Sequence, residues 1–222
     1  MSQEVWTAVD EYINATLIPK DPVLEATLRT SAEAGLPHIQ VTPSQGKLLH
    51  LLARSLNARN ILEIGALGGY STIWLARALA PGGKVITLEA SAKHAEVARA
   101  NYARAGLSAS IELRPGPAIR SLPQLAEEGR GPFDLLFLDA DKEMLAEYFE
   151  WALKLSRRGS MIIADNVVRH GNVVDAASKD EDVQGVRRFN ERVAREARVS
   201  ATEIQTVGSK GHDGFALALV LE

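Results

Sequence analysis

The chain has 222 residues, 46% of them hydrophobic and 24% charged, with a formal net charge of −3. That length and balance suit one α/β domain with a full core and exclude a polyanion binder held by overall charge. There is no cysteine, so a disulfide framework and a thiolate metal site are excluded as well.

The sequence opens Met1-Ser2-Gln3-Glu4-Val5-Trp6, without the basic and apolar regions of a secretory signal. No apolar run reaches membrane-spanning length, so a cytoplasmic protein is expected. The first segment reads as helices. Trp6 and Tyr12 lie on the first of them, as cover for a site, as a subunit contact or as ordinary core. Asp21-Pro22 predicts an N-cap followed by proline at the first helical position, with Gly35 as the stop. Thr42-Pro43-Ser44-Gln45 predicts a capping box ahead of the apolar stripe Leu48, Leu49, Leu51, Leu52 and Leu56.

Strand and helix signals then alternate. Residues 60–64 predict a strand, 71–80 a helix, 84–88 a strand ending at Glu89, and Ser91 to Gly106 a capped helix. A weak strand at 110–113 and a helix at 116–128 follow, then strand 133–138, helix 142–156 and strand 160–164. This order implies right-handed βαβ units. Residues 182–198 carry apolar positions at helical spacing. Two last strands, 201–207 and 215–221, are joined by a loop at 208–214 and should pair antiparallel. The expected fold is α/β: a doubly wound, Rossmann-like, seven-stranded, mostly parallel sheet. It has helices on both faces, an antiparallel C-terminal hairpin and extra N-terminal helices. One domain is expected over 1–222, with a helical cap at 1–57 and the core at 58–222. The polar connection 167–181 is long enough to read as a lid.

Two apolar runs end in oxygen-bearing side chains. One meets Asp139, Asp141 and Lys142; the other meets Asp165 and Asn166. If these runs are neighbouring parallel strands, their ends lie roughly 5 Å apart. Asp139, Asp165 and Asn166 then offer hard oxygens to one divalent cation, with Lys142 beside them as proton acceptor. The plain alternative for each acid or amide is helix capping. For Lys142 it is a solvated first-turn lysine, although a cation there opposes the helix dipole.

Glu63 to Ser71 links the first strand of the alternation to a helix. Its glycines allow close backbone approach to a ligand, and Glu89 is placed to accept from ribose hydroxyls. The dinucleotide fingerprint fails, because Leu67 and Tyr70 stand where glycines are required. Glu63 suits a ligand with an amino group and a sulfonium better than a phosphate. The five histidines (His38, His50, His94, His170, His212) lack zinc-ligand spacing; His170 in the lid is a candidate substrate contact. Arg157-Arg158 and Arg187, Arg188, Arg192, Arg195 and Arg198 read as a solvated face or as phosphate binders.

Taken together, the motifs resemble the cation-dependent, S-adenosylmethionine-dependent O-methyltransferases, the family of catechol and caffeoyl-coenzyme A O-methyltransferases and small bacterial relatives. The resemblance runs from about Val41 to the C-terminus. It rests on Leu62-Glu63-Ile64-Gly65 with Gly69-Tyr70-Ser71, on Leu138-Asp139-Ala140-Asp141-Lys142 and on Ala164-Asp165-Asn166-Val167. Arg187-Arg188-Phe189-Asn190 and Asp213-Gly214-Phe215 complete it. It implies that Glu63, Gly65, Tyr70 and Ser71 hold the methionine part of the cofactor, with Val41 lining that pocket. Glu89 would bind ribose and the backbone near Ala118 would meet adenine. Asp139, Asp165 and Asn166 would hold the metal (magnesium first, manganese or calcium as alternatives), with Asp139 also near the cofactor. Lys142 would be the general base, and a homodimer is implied. Gly116-Pro117-Ala118 departs from the Gly-Asp-Ala of many relatives, and Pro117 lacks a backbone donor.

The expected reaction is in-line transfer of the sulfonium methyl to a hydroxyl of a small catechol-like or phenolic acceptor. Coordination lowers a hydroxyl's pKa, and positive charges facing an ammonium favour its neutral, basic form. Three rivals remain at this stage: a methyltransferase acting on a hydroxylated tRNA uridine, a nicotinamide-dependent oxidoreductase, and a non-catalytic cofactor-binding module.

Overall fold

The computed structural model describes residues 2–222. Seven strands form one sheet in the order β3-β2-β1-β4-β5-β7-β6, where β1 is Asn60–Ile64, β2 Lys84–Glu89, β3 Ile111–Pro115, β4 Phe133–Leu138, β5 Ser156–Asp165, β6 Val199–Gly208 and β7 Gly211–Val220. The helices are α1 Gln3–Leu17, α2 Pro22–Glu33, α3 Pro43–Ser55, α4 Tyr70–Ala76, α5 Ala92–Arg104, α6 Ala118–Glu127, α7 Leu145–Lys154 and α8 Glu181–Ala194. This is the expected mostly parallel sheet closed by an antiparallel hairpin. The residues fall into two compact units, Glu11–Ser121, and the segment up to Asp10 with Leu122–Glu222.

In the Glu11–Ser121 unit, β1, β2 and β3 pair in parallel, with Glu63 opposite Thr87 and Thr87 opposite Leu113. Both local helix-start signals hold. Asp21 accepts from the N–H groups of Val23 and Leu24. Thr42 and Gln45 form the reciprocal capping box. Leu49 of the predicted stripe is buried, but Leu51 is 53% exposed. Tyr12 is 69% exposed, so core packing is not its role. α4 is shorter than its predicted span and is buried along its whole length.

In the other unit, β4 pairs in parallel with β5, and β5 pairs antiparallel with β7. All six residues of β4 are buried, the signature of a strand covered on both faces. Each large apolar side chain there contributes about 1.5–3 kcal/mol. Among the boundaries that differ from the sequence reading, three stand out. β5 begins at Ser156, because Ser156 opposite Phe133 extends the ladder past a bulge. Residues 142–144 form a 3-10 turn and α7 starts only at Leu145. The loop read at 208–214 shrinks to Ser209-Lys210, since Gly211 to Gly214 pair with β6.

Candidate active site

Glu63 ends inside the Glu11–Ser121 unit with no solvent exposure. Its Oε1 accepts from Ser71 Oγ at 2.6 Å, and its Oε2 accepts from Thr72 Oγ1 at 2.5 Å and Thr87 Oγ1 at 2.6 Å. Three hydroxyl donors offset much of the cost of burying a carboxylate. Tyr102 OH in turn donates to Thr72 Oγ1 at 3.0 Å. Burial, and then the charge of Glu63, push the Tyr102 phenol well above its ordinary range.

The glycine loop has a packing reason of its own. Gly69 has φ +86, and a Cβ there would sit 2.3 Å from Tyr102 Cε1. A Cβ on Gly68 would meet Ser31 Oγ at 2.0 Å. Gly65 also has positive φ, at +101.

Glu89 is 7% exposed and bridges two loops. Its Oε2 accepts from Leu67 N–H and its Oε1 from Ser91 N–H, each at 2.8 Å. A carboxylate oxygen has a second lone pair; His94 Nδ1 lies 3.4 Å from Oε1, so Oε2 retains the clearer capacity for a further hydroxyl donor. Val41 and Tyr70 are buried in the same unit, and Ala118 is the buried first residue of α6. Gly116, at φ +123, donates its N–H to Glu89 O at 2.8 Å.

The second cluster is in the other unit. Leu138 pairs with Ala164 across β4 and β5, so the next residues outward are Asp139 and Asp165. Lys142 Nζ donates to Asp139 Oδ1 at 3.1 Å and is only 5% exposed. Its backbone is pressed against α8: a Cβ on Gly185 would lie 2.1 Å from Lys142 O. Asp165 is 5% exposed. Burial first, and then the charge of Asp139, push its carboxyl up to about 7, while Lys142 opposes the shift. Asn166 adopts φ +58 and donates its N–H to Asp165 Oδ1 at 2.9 Å. Among the described residues, no three His, Cys, Asp or Glu side chains group as metal ligands. A hard cation shared by Asp139 and Asp165 would need further oxygens from outside that set, and the amide oxygen of Asn166 is of the right chemistry.

His170 is exposed at φ +57. The arginine series is tied to partners: Arg187 to Val173 O, Arg188 to Glu143 O, Arg192 to Glu150 and Glu196, Arg195 to Glu191 and Arg198 to Glu196. The sequence reading missed Thr72, Thr87 and Tyr102 around Glu63, and Gly185 behind Lys142. No local signal marks them, because each acts through a neighbour distant in the chain.

Residues 14–220 match the family model described as O-methyltransferase. A protein of Niastella koreensis named catechol O-methyltransferase is 53% identical over 99% of this chain and 100% of its own length. A second of that name, from Mycobacterium tuberculosis, is 52% identical over 96% of this chain and 94% of its own. The crystal structure of the O-methyltransferase from Bacillus cereus in complex with SAH superposes with TM-score 0.98 at 59% identity, covering 99% of this chain and 100% of that one. No described helix is long and apolar enough to cross a membrane. The chain belongs to the S-adenosylmethionine-dependent O-methyltransferase family.

Proposed function

We propose that this protein transfers a methyl group from S-adenosylmethionine to one hydroxyl of a small catechol-like or phenolic acceptor, with help from a divalent cation. The observation that carries the reading is the cluster of buried Asp165 and Lys142 with half-buried Asp139, where β4 and β5 end side by side. Two relatives named for catechol methylation support the acceptor class. The family reading also takes residues 1–222 as one catalytic domain that works as a homodimer in the cytoplasm.

Asp139, Asp165 and Asn166 would hold the cation, magnesium first by the hardness of the donors. When bound, such a cation acidifies a coordinated hydroxyl and fixes its orientation. Lys142 takes the hydroxyl proton at Nζ, and Asp139 Oδ1 holds that nitrogen in place. Glu89 accepts from the ribose hydroxyls. Glu63, Gly65, Tyr70 and Ser71 enclose the methionine part, and the three hydroxyls on Glu63 keep its carboxylate fixed in one orientation. Val41 and Ala118 supply apolar walls. The adenine contact departs from the relatives' pattern at Pro117, which contributes no N–H. The oxidoreductase reading loses its support with the failed glycine register. The tRNA reading remains the alternative, and its phosphate contacts would fall to the arginine series, which here pairs with Glu150, Glu191, Glu196 and backbone carbonyls.

The test is methyl transfer from labelled S-adenosylmethionine to catechols, phenolic thioesters and bulk tRNA, with and without chelator. Catechol turnover that stops with chelator and returns with magnesium is the expected result. Full turnover in excess chelator would remove the metal from the reaction.

A further inference from the structure

The residues just beyond the proposed metal donors follow an unusual path. Asn166, Arg169 and His170 all have left-handed backbones, at φ +58, +52 and +57, followed by Gly171 at +90. A left-handed non-glycine residue costs roughly 1–2 kcal/mol, so three in five residues persist only if something outside the segment holds them.

What holds them is the start of β7. Phe215 pairs with Asp165, which brings Asp213 and Gly214 alongside residues 167–169. Gly214 O accepts from Val167 N–H at 3.1 Å. Asp213 Oδ1 accepts from Val168 N–H at 3.1 Å, from Arg169 N–H at 3.0 Å and from its own neighbour Gly214 N–H at 3.0 Å. Three successive N–H groups after Asn166 are thus satisfied by one dipeptide. Gly214 cannot be replaced without losing the approach, since a Cβ there would meet Ile204 O at 2.5 Å and Val168 Cγ2 at 2.7 Å.

We infer that Asp213 is a positioning residue for the metal centre: by accepting the N–H groups of Val168 and Arg169 it fixes the left-handed backbone of Asn166 and so aims the Asn166 amide oxygen at the cation. The inference rests on the metal reading of Asp139, Asp165 and Asn166. It differs from a purely electrostatic role, in which the carboxylate would serve only by its negative charge near Asp165. An asparagine at 213 keeps an acceptor oxygen and loses the charge, so it separates the two.

The experiment measures Mn2+ affinity of the full-length protein by the electron paramagnetic resonance signal of free Mn2+, for the wild type, Asp213→Ala and Asp213→Asn. S-adenosylmethionine affinity and circular dichroism are read alongside. Asp213→Ala should bind Mn2+ at least about 10-fold more weakly, within the 10- to 100-fold scale for groups that orient metal ligands. Its cofactor affinity should be unchanged. Asp213→Asn should recover most of the loss. At saturating Mn2+ the alanine variant should regain turnover, which a global folding defect would not permit. Wild-type Mn2+ affinity in Asp213→Ala, or equal weakness in both variants, would overturn the positioning role. If the alanine variant does not fold, Asp213→Ser, too short to reach both N–H groups, takes its place. A wild type that takes up no Mn2+ would instead overturn the metal reading beneath it.

Discussion

Gly185→Ala sets two physical effects against each other. Gly185 sits inside α8, where alanine is favoured over glycine by about 1 kcal/mol. Propensity alone predicts a more stable protein. The added Cβ, however, would lie 2.1 Å from Lys142 O, 2.6 Å from Lys142 C and 2.7 Å from Glu143 Cα. All three are backbone atoms, so no side chain can swing aside. Ordinary contact at about 3.4 Å requires α8 and the Lys142 turn to separate by roughly 1 Å, an overpacking strain of about 1–3 kcal/mol or more. Strain wins, and Tm should fall by about 2–4 °C for each net kcal/mol lost in a protein of this size. A 1 Å shift of a group that transfers a proton costs on the order of 10²-fold in rate, so kcat should drop on that scale. Cofactor affinity should hold, because Glu63 and Glu89 are untouched. Differential scanning calorimetry, steady-state kinetics and a cofactor titration give the three numbers. A Tm above the wild type's with full kcat would refute the close approach and the role assigned to the turn.

Lys142→Ala should lower turnover by at least about 10²-fold, the usual scale for loss of a general base, with S-adenosylmethionine affinity nearly unchanged; an unaffected kcat would remove Lys142 from proton transfer. Asp165 has a folded pKa of about 7 against an ordinary 3.8. The folded state therefore holds its proton longer, and metal-free stability falls as pH rises from about 4 through 7, by up to a few kcal/mol. Added magnesium should accordingly raise Tm more at pH 8 than at pH 6, and Asp165→Asn should raise the metal-free Tm at pH 8 while abolishing the metal response; a flat metal-free Tm from pH 5 to 8 would refute this. Tyr102→Phe removes the buried donor to Thr72 Oγ1 and should cost about 1 kcal/mol, read as a shift in the urea midpoint; no shift would mean the hydroxyl is not holding the Glu63 network. Arg195→Ala should leave both catechol turnover and the affinity for bulk tRNA unchanged; weaker tRNA binding with a shallower salt dependence would favour the nucleic-acid reading.

Features written locally in the chain were legible in the sequence. Asp21 and Thr42 announce their helices because a cap acts within three residues. Asp139 and Asp165 stand out because each ends an apolar run, and the parallel register of Leu138 with Ala164 then brings them level. What escaped is set by distant partners. Arg157-Arg158-Gly159 looks unlike a strand, yet lies in β5 because Ser156 finds Phe133. Gly211 to Gly214 look like loop and become strand because residues 205–208 lie opposite them. Gly68 and Gly69 read as room for a ligand and Gly185 gave no signal, whereas at all three a neighbour leaves no room for a methyl group. The clamp by Asp213 exists only once two strands some fifty residues apart have paired.

β7 is later in the chain than β6 but lies inside it, between β5 and β6. A growing polypeptide therefore reaches its last interior position only when residues 211–220 leave the ribosome. Until then the Asp165 end of β5 has a bare flank, and the turn after Asn166 has nothing to hold its three strained residues. Loss of residues 211–220 would therefore take away both the strand beside β5 and the clamp on residues 167–169.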